Sequence, residues 1–177
     1  IGNDTFRDSD FSGDTIDDLI MDERLCIANM AVEAGAKNGI IKFDNITKEY
    51  LEGLNLNIDE NELEYLKNDS EGTFCEEVTI DVEKLEPLCS CPHEVDNVDE
   101  IKNVAGVKID QAYIGSCTGG RYHDLKVAAD LVKGRKIAEG IRLLISPASK
   151  EVWDRCAKEG ILQILSELQT KPLRLNI

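Results

Sequence analysis

The run Gly115-Ser116-Cys117-Thr118-Gly119-Gly120-Arg121 holds the residues of this chain with the clearest capacity for chemistry. An apolar, strand-like stretch with Ile109, Ala112, Tyr113 and Ile114 leads into it, and a helix-like stretch over 122–132 leaves it. A strand-to-helix turn with a thiol at its apex is therefore expected. Its glycines let backbone N–H groups crowd around the sulfur, and the positive end of the following helix favours a thiolate or a bound anion. Three readings of Cys117 follow. As a metal-cluster ligand, it would use those N–H groups to hold the thiolate and to hydrogen-bond cluster sulfides. As a nucleophile, it would exploit Gly115-x-Cys117-x-Gly119, the glycine spacing of a nucleophile elbow. As a packing residue, it would be a small side chain at a tight turn. A nucleophile needs a base within hydrogen-bond reach. The chain has two histidines, His93 and His123, and His123 sits on the helix that Cys117 precedes, which weakens the second reading.

Other candidates are less well formed. Cys89-x-Cys91-x-His93 has three metal-binding side chains, but structural zinc sites keep two or more residues between paired ligands and use two matched pairs, and this run has neither. Cys26, Cys75 and Cys156 read as buried small residues, because a free thiol packs as a hydrophobe. Asn29 and Glu33 stand at i and i+4 on a helix expected over 22–36, so both would project from one face. That face also carries Cys26 and Ala36. An amide and a carboxylate on an apolar stripe need partners or a function; otherwise they mark a partly exposed helix edge.

The elements that must position these groups follow from pattern and composition. A chain of 177 residues with 42% hydrophobic content can bury a core. Its 20 basic residues against 35 acidic ones, a net charge of -15, would repel phosphate backbones and anionic membranes, so neither nucleic acid nor a membrane is an expected partner. The sequence contains no apolar run long enough for a membrane span and no signal-like opening, and a cytoplasmic location is expected. Six cysteines in a chain of this type suggest free thiols and metal ligands over a disulfide framework. Beyond the helix over 22–36, the pattern predicts a strand over 40–43 and helices over 46–54 and 60–67, opened by Asn45 and Asp59. A strand over 74–82 and a linker over 86–100 with Pro87 and Pro92 come next. Then strand 109–114, helix 121–133, strand 142–145, helix 150–159 and helix 162–168 alternate as βαβα, the order of a parallel sheet flanked by helices. Ligands of such sheets sit beyond the carboxyl ends of the strands, where Cys117 would lie. The first 18 residues, polar and Gly/Asp-rich, predict little.

Taken together, these motifs resemble a known family. Asp22-Glu23-Arg24-Leu25-Cys26-Ile27-Ala28-Asn29-Met30-Ala31-Val32-Glu33-Ala34-Gly35-Ala36-Lys37 resembles a helix motif of the aconitase superfamily, and 114–121 resembles its first cluster-ligand motif. Cys91-Pro92-His93, Val107-Lys108-Ile109-Asp110-Gln111, Lys133-Gly134-Arg135-Lys136 and Ser146-Pro147-Ala148-Ser149 are similar to the large subunits of 3-isopropylmalate dehydratases, homoaconitases and dimethylmalate dehydratases. The resemblance runs over 13–168. It implies a three-layer α/β/α fold with a parallel-rich sheet, 1–92 forming part of the family's second α/β domain and 93–177 the first part of its third. It also implies a hydro-lyase with a 4Fe-4S cluster on three cysteines, one iron acting as Lewis acid on a small hydroxy acid such as isopropylmalate in leucine biosynthesis. On that resemblance Cys117 is the first cluster ligand and metal-binding residue, while Asn29 and Glu33 are catalytic residues beside the cluster. The other two ligand cysteines have no match here, and the catalytic serine belongs to a small-subunit partner. With Ile1 at its start and Gln169 to Ile177 at its end, the chain is expected to be truncated at both ends and inactive alone. A homoaconitase or 2,3-dimethylmalate dehydratase large subunit, or a non-catalytic remnant of the same fold, is the alternative.

Overall fold

The computed structural model describes residues 7–56, 58–59 and 72–168. The chain divides into two compact units, Ile1–Val107 and Lys108–Ile177. Both contain parallel strand pairs with helical crossovers, an α/β arrangement.

In the first unit β1 (Ser9–Phe11) pairs in parallel with β2 (Gly39–Ile41), Ser9 opposite Gly39 and Phe11 opposite Ile41. Parallel neighbours need a crossover, and α1 (Asp14–Asp18) and α2 (Met21–Met30) supply it. The Glu23 carboxylate starts α2 by accepting the Ile20 N–H at 3.0 Å. Gly39 lets the strand lie against this helix: a Cβ there would stand 2.7 Å from the Cα and the carbonyl oxygen of Ala28. The most buried side chain of α2 is Arg24, 2% exposed. Its guanidinium donates to the carbonyls of Leu19 at 3.0 Å and Asp17 at 2.9 Å, and pairs with Asp44 at 2.8 Å. Asp44 also caps α3 (Asn45–Gly53), accepting the Thr47 N–H at 3.1 Å; the cap is thus one residue before the expected Asn45.

Three expectations fail in this unit. The helix expected over 22–36 keeps α-helical bonding only to Met30. The stretch over 74–82 forms no ladder among the described residues and ends in a 3₁₀ turn, Val82–Lys84. Alternation needs a partner strand to become a strand, and Phe74, Val78 and Ile80 stay 68%, 72% and 63% exposed. The linker expected over 86–100 contains an antiparallel hairpin, β3 (Leu88–Ser90) with β4 (Val98–Glu100). Side chains close its loop: Ser90 Oγ donates to the Val95 carbonyl at 2.9 Å, and the Asn97 amide donates to the Pro92 carbonyl at 2.9 Å. A short α4 (Ile101–Val104) follows. The helix expected over 60–67 lies outside the described residues.

The second unit follows the expected order. β5 (Gln111–Gly115) and β6 (Arg142–Ser146) pair in parallel, with α5 (Ser116–Gly119) and α6 (Tyr122–Val132) between them and α7 (Lys150–Lys158) and α8 (Ile161–Glu167) after. Leu143 and Ile145, two apart on β6, and Leu125 and Ala129, four apart on α6, share a buried cluster with Cys156, Ile161, Leu162, Leu165 and Leu168. Each fully buried leucine or isoleucine contributes about 1.5–3 kcal/mol. Ser149 caps α7 by accepting the Val152 N–H at 3.3 Å, and Gly160 breaks it from α8 at φ 77°. Tyr122 ties α6 to α7: its hydroxyl donates to Glu159 at 2.6 Å, and the Arg155 guanidinium stacks 3.4 Å from its ring centre.

Candidate functional site

Cys117 sits, exposed, in the four-residue helical turn α5 directly after β5, the strand-to-helix position expected of it. Gly115 and Gly120 build the turn. A Cβ on Gly115 would meet the Ser146 carbonyl oxygen at 2.5 Å and the Ser146 Cβ at 2.9 Å, and one on Gly120 would meet the same carbonyl and the Ser116 carbonyl. Both glycines thus seat directly on the end of β6, whereas a Cβ on Gly119 would meet nothing within 4 Å. The Ala148 N–H donates to the Gly120 carbonyl at 2.8 Å, and the Gly120 N–H to the Ser116 carbonyl at 3.1 Å. Ser116 takes φ 72°, a left-handed conformation uncommon for a residue with a side chain. The segment 146–149 thus buttresses the turn that carries the thiol.

Past the turn, Arg121 forms the N-cap position of α6, its backbone N–H donating to the Asp124 carboxylate at 3.0 Å. Its guanidinium Nε is buried and has no hydrogen-bond partner. The sequence pattern placed Arg121 inside the motif but attached no role to it, since one arginine after a glycine pair reads as a solvated charge.

Asn29 and Glu33 belong to the first unit and are both exposed. The geometry expected of them changes. After Met30 the chain winds by shorter bonds, Glu33 N–H to Met30 O, Ala34 to Ala31 and Gly35 to Val32, at 3.0–3.1 Å. It stops where Ala36 N–H returns to Ala31 O at 3.0 Å across Gly35, φ 89°, a glycine-closed helix end. These bonds between residues three apart wind the backbone tighter than the helix before them. Glu33 projects from a turn and Asn29 from the last residues of the helix. The burial expected of the remaining thiols holds for Cys156, whose acidity burial suppresses foremost. Cys26 is half-buried, and Cys75 is exposed because the strand expected around it does not form. Cys89 and His93 are exposed and Cys91 half-buried in the hairpin.

Among the described residues no group of three or more His, Cys, Asp or Glu side chains is placed to hold a metal ion. The soft, exposed thiol of Cys117 suits iron as a single ligand; the described residues do not complete a cluster site. No helix among them is long and apolar enough to cross a membrane.

The sequence matches the profile of the Aconitase family (aconitate hydratase) over residues 8–106 and 99–174. It is 45% identical over 154 residues to "3-isopropylmalate dehydratase large subunit 1" of Archaeoglobus fulgidus, covering 87% of this chain and 36% of that protein. It is 40% identical over 159 residues to "Probable methanogen homoaconitase large subunit" of Methanothermobacter thermautotrophicus, covering 90% and 36%. To the "3-isopropylmalate dehydratase large subunit" of Wolinella succinogenes it is 41% identical over 165 residues, covering 92% and 38%. The chain spans a little over a third of the length of these relatives.

Proposed function

Because the chain belongs to the aconitase family, we propose that it forms part of the large subunit of a hydro-lyase that interconverts 2- and 3-isopropylmalate by dehydration and rehydration. The observation that carries this reading is 45% identity over 154 residues to an isopropylmalate dehydratase large subunit, together with an exposed Cys117 at a turn held by backbone contacts. The 40% identity to a protein named as a homoaconitase keeps a longer hydroxy acid as the second reading.

When bound, a 4Fe-4S cluster supplies a Lewis-acidic iron that polarises the leaving hydroxyl. In this reading Cys117 provides one thiolate to it, from a turn whose position the glycine contacts with Ser146 fix. Asn29 would offer an amide hydrogen bond, and Glu33 a carboxyl group that would give a proton to the departing hydroxyl and take it back on rehydration. Proton removal from the adjacent carbon falls to a serine of a small-subunit partner. The exposure of Asn29 and Glu33 suits groups that meet a ligand or another surface.

The test is expression of the complete reading frame with its small subunit, anaerobic reconstitution and an absorbance assay of the unsaturated diacid. Turnover of isopropylmalate is expected. Cys117→Ser should abolish the 4Fe-4S absorption, since an oxygen ligand replaces a soft thiolate poorly. Glu33→Gln should keep the absorption and lower kcat by about 10²–10⁴, the usual worth of a positioned acid–base group. A complete cluster in Cys117→Ser would show that another cysteine is the ligand.

A further inference from the structure

Arginine finds acids readily in a chain with 35 Asp and Glu against 20 Lys and Arg. Arg7 pairs with Glu76, Arg24 with Asp44 and Arg155 with Glu159, while Arg142 hydrogen-bonds Gln111. Arg24 also leaves a buried Nη1 without a partner, but Asp44 meets its charge. Arg135 has no acid partner among the described residues, and it is exposed to water. Arg121 is different. The Asp124 carboxylate accepts from its backbone N–H, no ion pair engages its guanidinium among the described residues, and its Nε is buried and unsatisfied. Leaving such a donor unmet costs about 1–3 kcal/mol, more for a charged group.

The position of this guanidinium, without an ion pair among the described residues, gives it meaning. Arg121 follows Gly120, which is seated on Ser146, and lies four residues beyond Cys117. Four residues span at most about 14 Å fully extended, and part of this stretch is wound in α5. The guanidinium is a planar fork that matches a carboxylate in two parallel hydrogen bonds. A hydroxy diacid handled next to Cys117 would bring carboxylates into a strongly acidic protein, where each needs a cation. Resting on the function proposed above, we propose that Arg121 is a substrate-anchoring residue that binds a carboxylate of the hydroxy acid beside Cys117.

The experiment uses the complete large subunit with its small subunit and reconstituted cluster, and 2-isopropylsuccinate as a non-reacting diacid probe measured by calorimetry. Arg121→Gln should weaken probe binding about 10- to 100-fold, the worth of a charge-assisted hydrogen-bonded pair. It should raise KM more than it lowers kcat and leave the cluster absorption unchanged. Arg121→Lys, which keeps the charge and loses the fork, should recover part of the affinity. Probe binding within twofold of the parent in Arg121→Gln overturns the proposal. So does loss of the cluster in Arg121→Gln with its retention in Arg121→Lys, which would make Arg121 a counter-charge to the thiolates. The unsubstituted enzyme separates the two claims: if it forms no cluster or does not turn over isopropylmalate, the functional reading itself falls, and this one with it.

Discussion

At the scale of single residues, the turn around Cys117 sets neighbours with similar chemistry apart. Gly115→Ala and Gly120→Ala each drive a Cβ into the backbone of Ser146, and overpacking of this kind costs about 1–3 kcal/mol. Gly119→Ala meets open space and is expected to be near neutral. Urea unfolding of the three variants checks this, and equal losses at all three positions would contradict the contacts described. The thiols should separate as sharply. Cys117 is exposed, whereas Cys156 is buried and its acidity suppressed, so iodoacetamide under native conditions should modify Cys117 well before Cys156. Peptide mass spectrometry reports the order; if Cys156 reacts first, Cys117 is not the open thiol described. Cys117 was legible in the sequence because glycines on both sides of a thiol, after an apolar run, leave few alternatives. Arg24 was not: a lone arginine among acids reads as a solvated charge, and only folding reveals two carbonyls and a carboxylate around it.

Among the elements, the Arg24–Asp44 pair is the joint of the first unit, linking the start of α2 to the cap of α3. The hydrogen bond from Arg24, more than any other influence, holds the Asp44 carboxyl below its ordinary value, against the opposing effect of burial. Because the folded value is depressed, its stabilisation is fully present above the unfolded value of about 3.9 and is lost as pH falls through the folded value. Urea midpoints should therefore hold steady from neutral pH to about pH 4 and drop below it. Asp44→Asn should flatten the contribution from this residue. Asp44→Ala strands a buried guanidinium and removes a cap, a loss of about 3–5 kcal/mol, and a loss under 1 kcal/mol would show that the pair is only incidental. The second unit was more legible than the first for a physical reason. Its strands and helices bury apolar residues at regular spacing, as Leu143 with Ile145 and Leu125 with Ala129 do. The three-residue β1 and the tightened turns after Met30 depend on hydrogen bonds to distant or special backbone, and no local pattern announces those.

For the whole molecule, the stretch over 74–81 lies in no helix or ladder among the described residues and has exposed apolar side chains. Alternation made it look like a strand because pattern records the face a residue prefers and says nothing of whether a neighbour is there to receive it. Backbone of this kind opens at little cost. Endoproteinase Glu-C should cut after Glu76 or Glu77 long before Glu151 or Glu159, which lie within or at the end of α7. Mass spectrometry of a brief digest checks the order, and early cleavage within 150–159 would contradict it. The two matched stretches of the family profile, 8–106 and 99–174, meet close to the boundary between the two compact units at 107 and 108.

The seating of Gly115 and Gly120 on Ser146 has a manufacturing counterpart. A part located against two hard stops keeps its place whatever is changed in the padding around it. Cys117 is referenced to bare backbone on either side, so repacking of the apolar residues of α6 should loosen or tighten the unit without moving the sulfur. Evolution and protein engineering alike would then have wide latitude in the core beneath the turn, and very little in the two glycines that serve as its datum.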